Sequence, residues 1–271
     1  MPCRPHIAAL LLGVAAPALA AVPTTPANSD PADGVWANSL TLDGSAYADP
    51  DGSPQVGAEF QVRTSTGVYG DASSMGSGTL GVTTSWTAPT ATRGVTYFWH
   101  LRYRDAEGWS AWSAETSFIY DDLAPTTPPS ITVGPTATTG VFTLSWGTST
   151  DGNSGVFGYD VDSKQFPTPY QYVRLFNSDP QGSPPISFFS PQTCTMGPGT
   201  YTMRVRAVDG AHNHSSWLES TPSFTVVADG AVPVLAAPTA RPACVPPELE
   251  ANTMRSKCSA VWRVSSSIAA A

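Results

Sequence analysis

Two arginines and two tryptophans carry the sharpest local pattern in the chain. Arg102 and Arg104 stand two residues apart in a segment that alternates apolar and polar residues, and Trp109-Ser-Ala-Trp-Ser113 follows shortly after. On a strand, residues two apart share a face, so the two guanidinium groups point the same way. Trp109 and Trp112 come after a short turn, at the expected start of the adjacent strand. A guanidinium over an indole gains about 0.5–1 kcal/mol when exposed, and the arginine stem covers apolar surface as well. The chemistry of this pattern is stacking. It predicts a structural Trp/Arg ladder of Arg102, Arg104, Trp109 and Trp112 that stabilises rather than recognises. Trp217 has no second tryptophan beside it, so the ladder is expected in the first half of the chain alone.

Other polar groupings suggest less. Asp49 and Asp51, and later Asp151 with Asn153, offer oxygen ligands on turns, which is what Ca²⁺ requires. Asp-Pro-Asp-Gly and Asp-Gly-Asn-Ser-Gly are equally ordinary turn sequences, and neither completes an EF-hand spacing, so both are read as turns. His212-Asn-His214 falls in an expected loop without a third ligand. Among the motifs of nucleophilic, zinc-dependent and phosphate-binding chemistry, G-x-S-x-G, H-E-x-x-H and the P-loop are all missing. No catalytic residue, cofactor or metal is assigned. Of the four cysteines, Cys3 precedes an apolar run, Cys194 sits in the second half, and Cys244 and Cys258 lie near the C-terminus, where they would pair in an oxidising compartment.

The first twenty residues set an address. Arg4 begins a short basic start, an apolar run follows from Ile7 to Ala16, and Ala18-Leu-Ala20 resembles a cleavage signal, so residues 1–20 read as a signal peptide. No later segment approaches the ~18 apolar residues of a membrane span. The mature chain is expected to be secreted or at a cell surface. A net charge of −8, from 13 basic and 21 acidic residues, argues against a nucleic-acid binder that relies on a basic face. Of the 271 residues, 23 are Gly and 26 Pro, enough for a turn-rich chain and too few for collagen or low-complexity disorder.

The elements that must position these residues come in two copies. Residues 94–118 and 199–224 align at Tyr97 with Tyr201, Leu101 with Val205, Arg102 with Arg206 and Asp105 with Asp209, and then at Trp112 with Trp217 and Phe118 with Phe224. Upstream, Ser39-Leu-Thr-Leu resembles Val141-Phe-Thr-Leu, and Phe60-Gln-Val-Arg63 resembles Tyr159-Asp-Val-Asp162. Tyr97, Trp99, Leu101 and Tyr103 alternate with polar neighbours, as do Tyr201, Met203, Val205 and Ala207, which predicts strands. Short strands with regular Gly, Pro, Asp and Asn turns over about 100 residues predict an antiparallel β-sandwich. The fold expected is all-β, with two tandem sandwiches at 33–120 and 130–227. They are flanked by a Pro-rich lead-in at 21–32, a Pro-rich linker at 121–129 and a largely disordered tail at 228–271.

Both units resemble fibronectin type III domains. Trp146 matches that family's early tryptophan, and Tyr201-Thr-Met-Arg-Val-Arg-Ala207 its late strand pattern. Unit one departs, its early strand being Leu40-Thr-Leu42 with no tryptophan at the equivalent place, and resembles a divergent type seen in large secreted bacterial proteins. Trp109-Ser-Ala-Trp-Ser113 is identical in pattern to the WSxWS pentapeptide of class I cytokine receptors, but unit one has no paired cysteines. The resemblance implies a secreted, non-catalytic adhesion, binding or spacer protein with an extracellular protein or glycan as partner. Such a protein would bind through end loops such as 152–158 and 210–215. The alternatives are an accessory module of a secreted glycoside hydrolase or protease, and a receptor-like ectodomain.

Overall fold

The structure, a computed structural model, describes residues 20–72, 74–134, 137–138, 140–166, 171–182, 185–227 and 243–245. The expected signal peptide, apart from Ala20, and Cys258 lie outside the described residues. Eighteen strands and no helix occur among the described residues, and no helix there is long and apolar enough to cross a membrane.

The first module contains β1 (Asn28–Asp30), β2 (Val35–Ala37), β3 (Thr41–Gly44), β4 (Gly57–Thr64), β5 (Met75–Gly76), β6 (Ser85–Thr87), β7 (Thr96–Arg104) and β8 (Thr116–Tyr120). One sheet runs β1-β3-β6 and the other β2-β8-β7-β4-β5, with β2 parallel to β8 and the remaining pairs antiparallel. The second module contains β9 (Ile131–Gly134), β10 (Ala137–Thr138), β11 (Val141–Trp146), β12 (Val156–Phe166), β13 (Val173–Phe176), β14 (Gln192–Thr195), β15 (Gly199–Asp209), β16 (Leu218–Glu219) and β17 (Phe224–Val226). Its sheets run β9-β11-β14 and β10-β17-β15-β12-β13, with β10 parallel to β17. Apart from β16, which pairs with β15 and has no counterpart in the first module, the two orders match, so the duplication read from the residues is also a duplication of topology.

Period-two alternation places the cores. Along β7, Tyr97, Trp99, Leu101 and Tyr103 are buried while the residues between them reach the outer face, and Phe60 and Val62 of β4 pack beside them. Each such side chain taken from water contributes roughly 2–3 kcal/mol. Leu42 corresponds to Leu144 and Gly44 to Trp146 of the second module, and Trp99 and Trp86 supply the aromatic bulk of the first core. Gly44 of β3 lies so close to Leu101 and Tyr103 that a Cβ there would overlap both side chains.

Two expected boundaries shift. The lead-in is part of the first module: Asn28–Asp30 forms its edge strand, and the Thr24 N–H donates to Ala48 O at 2.9 Å. The expected linker does the same for the second module, where the Thr126 N–H donates to Thr150 O at 2.9 Å. Pro23-Thr-Thr-Pro26 and Pro125-Thr-Thr-Pro128 are thus one repeated first segment, too short and too free of apolar alternation to read as a strand. Within the tail, Ala243–Val245 forms β18, antiparallel to β14 with Cys244 directly opposite Cys194. The rest of 228–271 lies outside the described residues.

Candidate functional site

The outer face of the first module's larger sheet carries a continuous stack. The Arg102 guanidinium lies between Trp109 and Trp112, at 4.5 and 4.4 Å from their ring centres, and Arg104 covers the other side of Trp109 at 5.6 Å. Beyond Trp112 the stack continues through His100 (4.0 Å, planes 15° apart), Tyr69 (3.8 Å, 15°), Arg63 (5.3 Å) and Phe98 (4.6 Å). Phe98, His100, Arg102 and Arg104 come from one face of β7. Register brings Glu59, Gln61 and Arg63 of β4 opposite the first three of them. Glu59 accepts from Arg102 at 2.9 and 2.6 Å, and Glu115 accepts from Arg63 at 2.9 and 2.7 Å and from the Tyr69 hydroxyl at 2.7 Å. Burial pushes His100 down to about 4, so the ring stays neutral at pH 7 between its aromatic neighbours. The serines of the pentapeptide replace a strand ladder: the N–H groups of Ser110 and Ser113 donate to the carbonyls of Tyr103 and Leu101, and their hydroxyls accept the N–H groups of the same two residues.

The expectation that the second module lacks such a stack is corrected. Trp217 stands between Arg204 at 4.2 Å and Arg206 at 4.6 Å, and Tyr172 occupies the place of a second tryptophan, 3.7 Å from Arg204 on one side and 4.8 Å from Lys164 on the other. Phe166 ends the row at 5.3 Å from Lys164. Carboxylates brace it from within the sheet. The fully buried Asp160 takes Arg206 and Arg174 at 2.9 Å each, and the buried Asp162 takes Arg204 at 2.7 Å and Arg174 at 2.6 Å. Ser215 and Ser220 hold Ala207 and Met203 as the pentapeptide serines hold β7. Stacking is therefore a property of both modules and does not depend on the tryptophan pair.

A second focus is the junction. The loops 152–158 and 210–215, expected as free binding loops, face the first module. Asp121, fully buried at the end of that module, accepts from the Leu123 N–H at 3.0 Å, the Ser154 N–H at 3.0 Å and the Asn153 amide at 3.3 Å. Its own carbonyl accepts from Asn213 Nδ2 at 2.8 Å. A cleft of about 710 Å³ opens beside these contacts, lined by Val35 and Trp36 from one module and Phe157, Pro180 and Gln181 from the other. Composition gave no cue to this, because a Pro-rich linker reads as a spacer rather than a hydrogen-bonding hub.

No protein-family model matches the sequence, and no curated protein matches it. Solved structures that are similar include the FN1–FN3 domains of chicken CNTN1, at 15% identity and TM-score 0.49, covering 75% of this chain and 69% of that one. A two-domain fibronectin type III segment of chicken tenascin matches at 15% identity and TM-score 0.29, covering 76% of this chain and 99% of that one. Domains A168–A170 of titin match at 17% identity and TM-score 0.40, over 76% of this chain and 67% of that one. The strand order carries the conclusion: a smaller sheet of three or four strands packed on a larger one of five or six, twice in series, is a tandem of fibronectin type III-like sandwiches.

Proposed function

We propose that this chain is a secreted, non-catalytic adhesion or spacer protein that holds two fibronectin type III-like modules in series and offers its exposed faces to an extracellular protein or glycan. The junction is the observation that carries the reading. A tether needs only length, whereas here Asp121 of one module is buried and held by Asn153, Ser154 and Asn213 of the next. Such contacts suit a part that sets distance and orientation. With the 152–158 and 210–215 loops engaged at the junction, the corresponding loops of the first module, 49–53 and 105–109, lie away from it. The test applies the labelled chain to whole cells and to a glycan array, with polysaccharide and protein hydrolysis followed in parallel. Saturable binding that is lost on replacing the loop residues 106–108, with an unchanged Tm, supports the proposal. Hydrolysis by the purified chain, or the absence of binding to either surface, contradicts it.

A further inference from the structure

Asp121, Asp151 and Asp209 come from three separate segments: the end of β8, the β11–β12 loop and the end of β15. One carboxylate oxygen from each lies within 4.8 Å of the other two. Asp121 and Asp209 are fully buried. Asp151 Oδ2 is sealed from solvent, with less than 1 Å² exposed, and has no hydrogen-bond partner. Among the described residues, no Lys, Arg or His forms an ion pair with any of the three. The groups that reach them are neutral donors, namely backbone N–H groups and the amides of Asn153 and Asn213. Gathering three carboxylates out of water without a counter-charge is costly, since buried charges are normally paired or bound to a metal. Burial, with Asp121 and Asp151 alongside, pushes Asp209 up to about 6.

The first module repeats the pattern. Asp49 occupies the position of Asp151 and Asp105 that of Asp209. Asp105 is fully buried, and the Oδ2 atoms of both are sealed and without a partner. In each module the other oxygen is occupied by loop N–H groups: Asp49 by Asp51 and Ser53, Asp151 by Asn153 and Gly155, and Asp105 by Glu107 and Gly108. The loops therefore fix one oxygen of Asp49, Asp105 and Asp151 and leave the Oδ2 of each unmatched, whereas Asp209 accepts the Asn213 N–H on Oδ1 and the Asn213 amide on Oδ2. Among the described residues, only the second module adds a third carboxylate, Asp121. By the Pro-Thr-Thr-Pro alignment, position 19 corresponds to it and is Leu19.

The geometry points to a Ca²⁺ site formed by Asp121, Asp151 and Asp209 that clamps the end of the first module onto the loops of the second. All-oxygen, carboxylate-rich ligation from three separate segments suits Ca²⁺, which takes six to eight oxygens in irregular arrangements. Mg²⁺ is usually held by one or two carboxylates in strict octahedral geometry. No thiolate or imidazole enters the set, so zinc and copper chemistry are disfavoured.

The test uses the full chain, freed of metal with a chelator and titrated with CaCl₂ by calorimetry, alongside thermal unfolding with and without the ion. The result expected is saturable binding and a rise in Tm of about 5 °C at a hundredfold excess over Kd. Asp151→Asn keeps an oxygen for the Asn153 and Gly155 N–H groups while removing the charge. It should weaken binding at least tenfold and abolish the Tm rise, with an unchanged β-type circular dichroism spectrum. Asp49→Asn in the first module should leave both responses in place. Absence of a calcium-dependent response at millimolar ion, or a folded Asp151→Asn variant that binds as the parent does, overturns the proposal. An equal response to MgCl₂ overturns the assignment to calcium.

Discussion

Arginine between two aromatic rings is an arrangement in which several weak terms coincide. Arg102 gains cation–π attraction on both faces, covers apolar surface with its stem and keeps a Glu59 carboxylate at its edge. Trp109→Ala removes one wall and exposes the other, and should destabilise the first module by about 2 kcal/mol, less than for a fully buried indole because Trp109 is only half-buried. Thermal unfolding of the full chain checks this. Loss of cell or glycan binding with an unchanged Tm would instead make the stack a recognition surface. Tyr172→Ala should do the same to the second module, since it empties the space between Lys164 and Arg204 and also removes the hydroxyl that donates to Glu219 at 2.6 Å. The stack also brings a pH dependence. His100 is held down to about 4 by burial, against an ordinary value near 6.5, so the unfolded chain binds its proton first as pH falls. The neutral ring's contribution is fully present above about pH 6.5 and is lost as pH falls toward 4. His214, also held down to about 4 by burial, adds the same sign. The Tm difference between pH 7 and pH 5 should therefore be smaller in His100→Phe than in the parent, measured by calorimetric scans at both pH values.

At the scale of elements, what was legible in the residues is what repeats locally. Tyr97 to Tyr103 and Tyr201 to Ala207 show their buried face through alternation alone, and the Arg102, Arg104, Trp109 and Trp112 pattern is contained in eleven consecutive residues. Rungs from distant strands left no such trace. Tyr69 and Arg63 reach His100 and Phe98 only once β4 lies against β7, and Tyr172 reaches Arg204 only through the β12–β13–β15 geometry. The signal that marked 21–32 and 121–129 as the same element was the Pro-Thr-Thr-Pro pair, not their composition. The register of β18 yields a prediction of its own. Directly opposed residues of an antiparallel pair have Cα atoms about 4.5–5.5 Å apart, within the span of a disulfide. Cys194 and Cys244 hold those positions, whereas the sequence suggested Cys244 with Cys258. Peptide mapping of the oxidised, unreduced chain should recover a Cys194–Cys244 cross-link. A Cys244–Cys258 peptide would show that β18 does not pair in this register.

For the whole molecule, the account depends on the joint. Its hydrogen bonds run from the buried end of one sandwich to two loops of the next, and Asn213 alone ties Asp209 to the Asp121 carbonyl. Chains of hydrogen bonds in a buried, low-dielectric setting reinforce one another, and each is costly to break unless water replaces it. Interfaces between modules are otherwise expected to permit relative motion, so a fixed joint is a specific claim and not a default. Residual dipolar couplings measured for both modules in one weakly aligned sample test it most directly. A single alignment tensor should describe the amides of 24–120 and 126–226 together, and Asn213→Ala should split it into two. Two independent tensors of different magnitude in the parent chain would contradict the account, because modules that tumble separately cannot set distance and orientation for a partner.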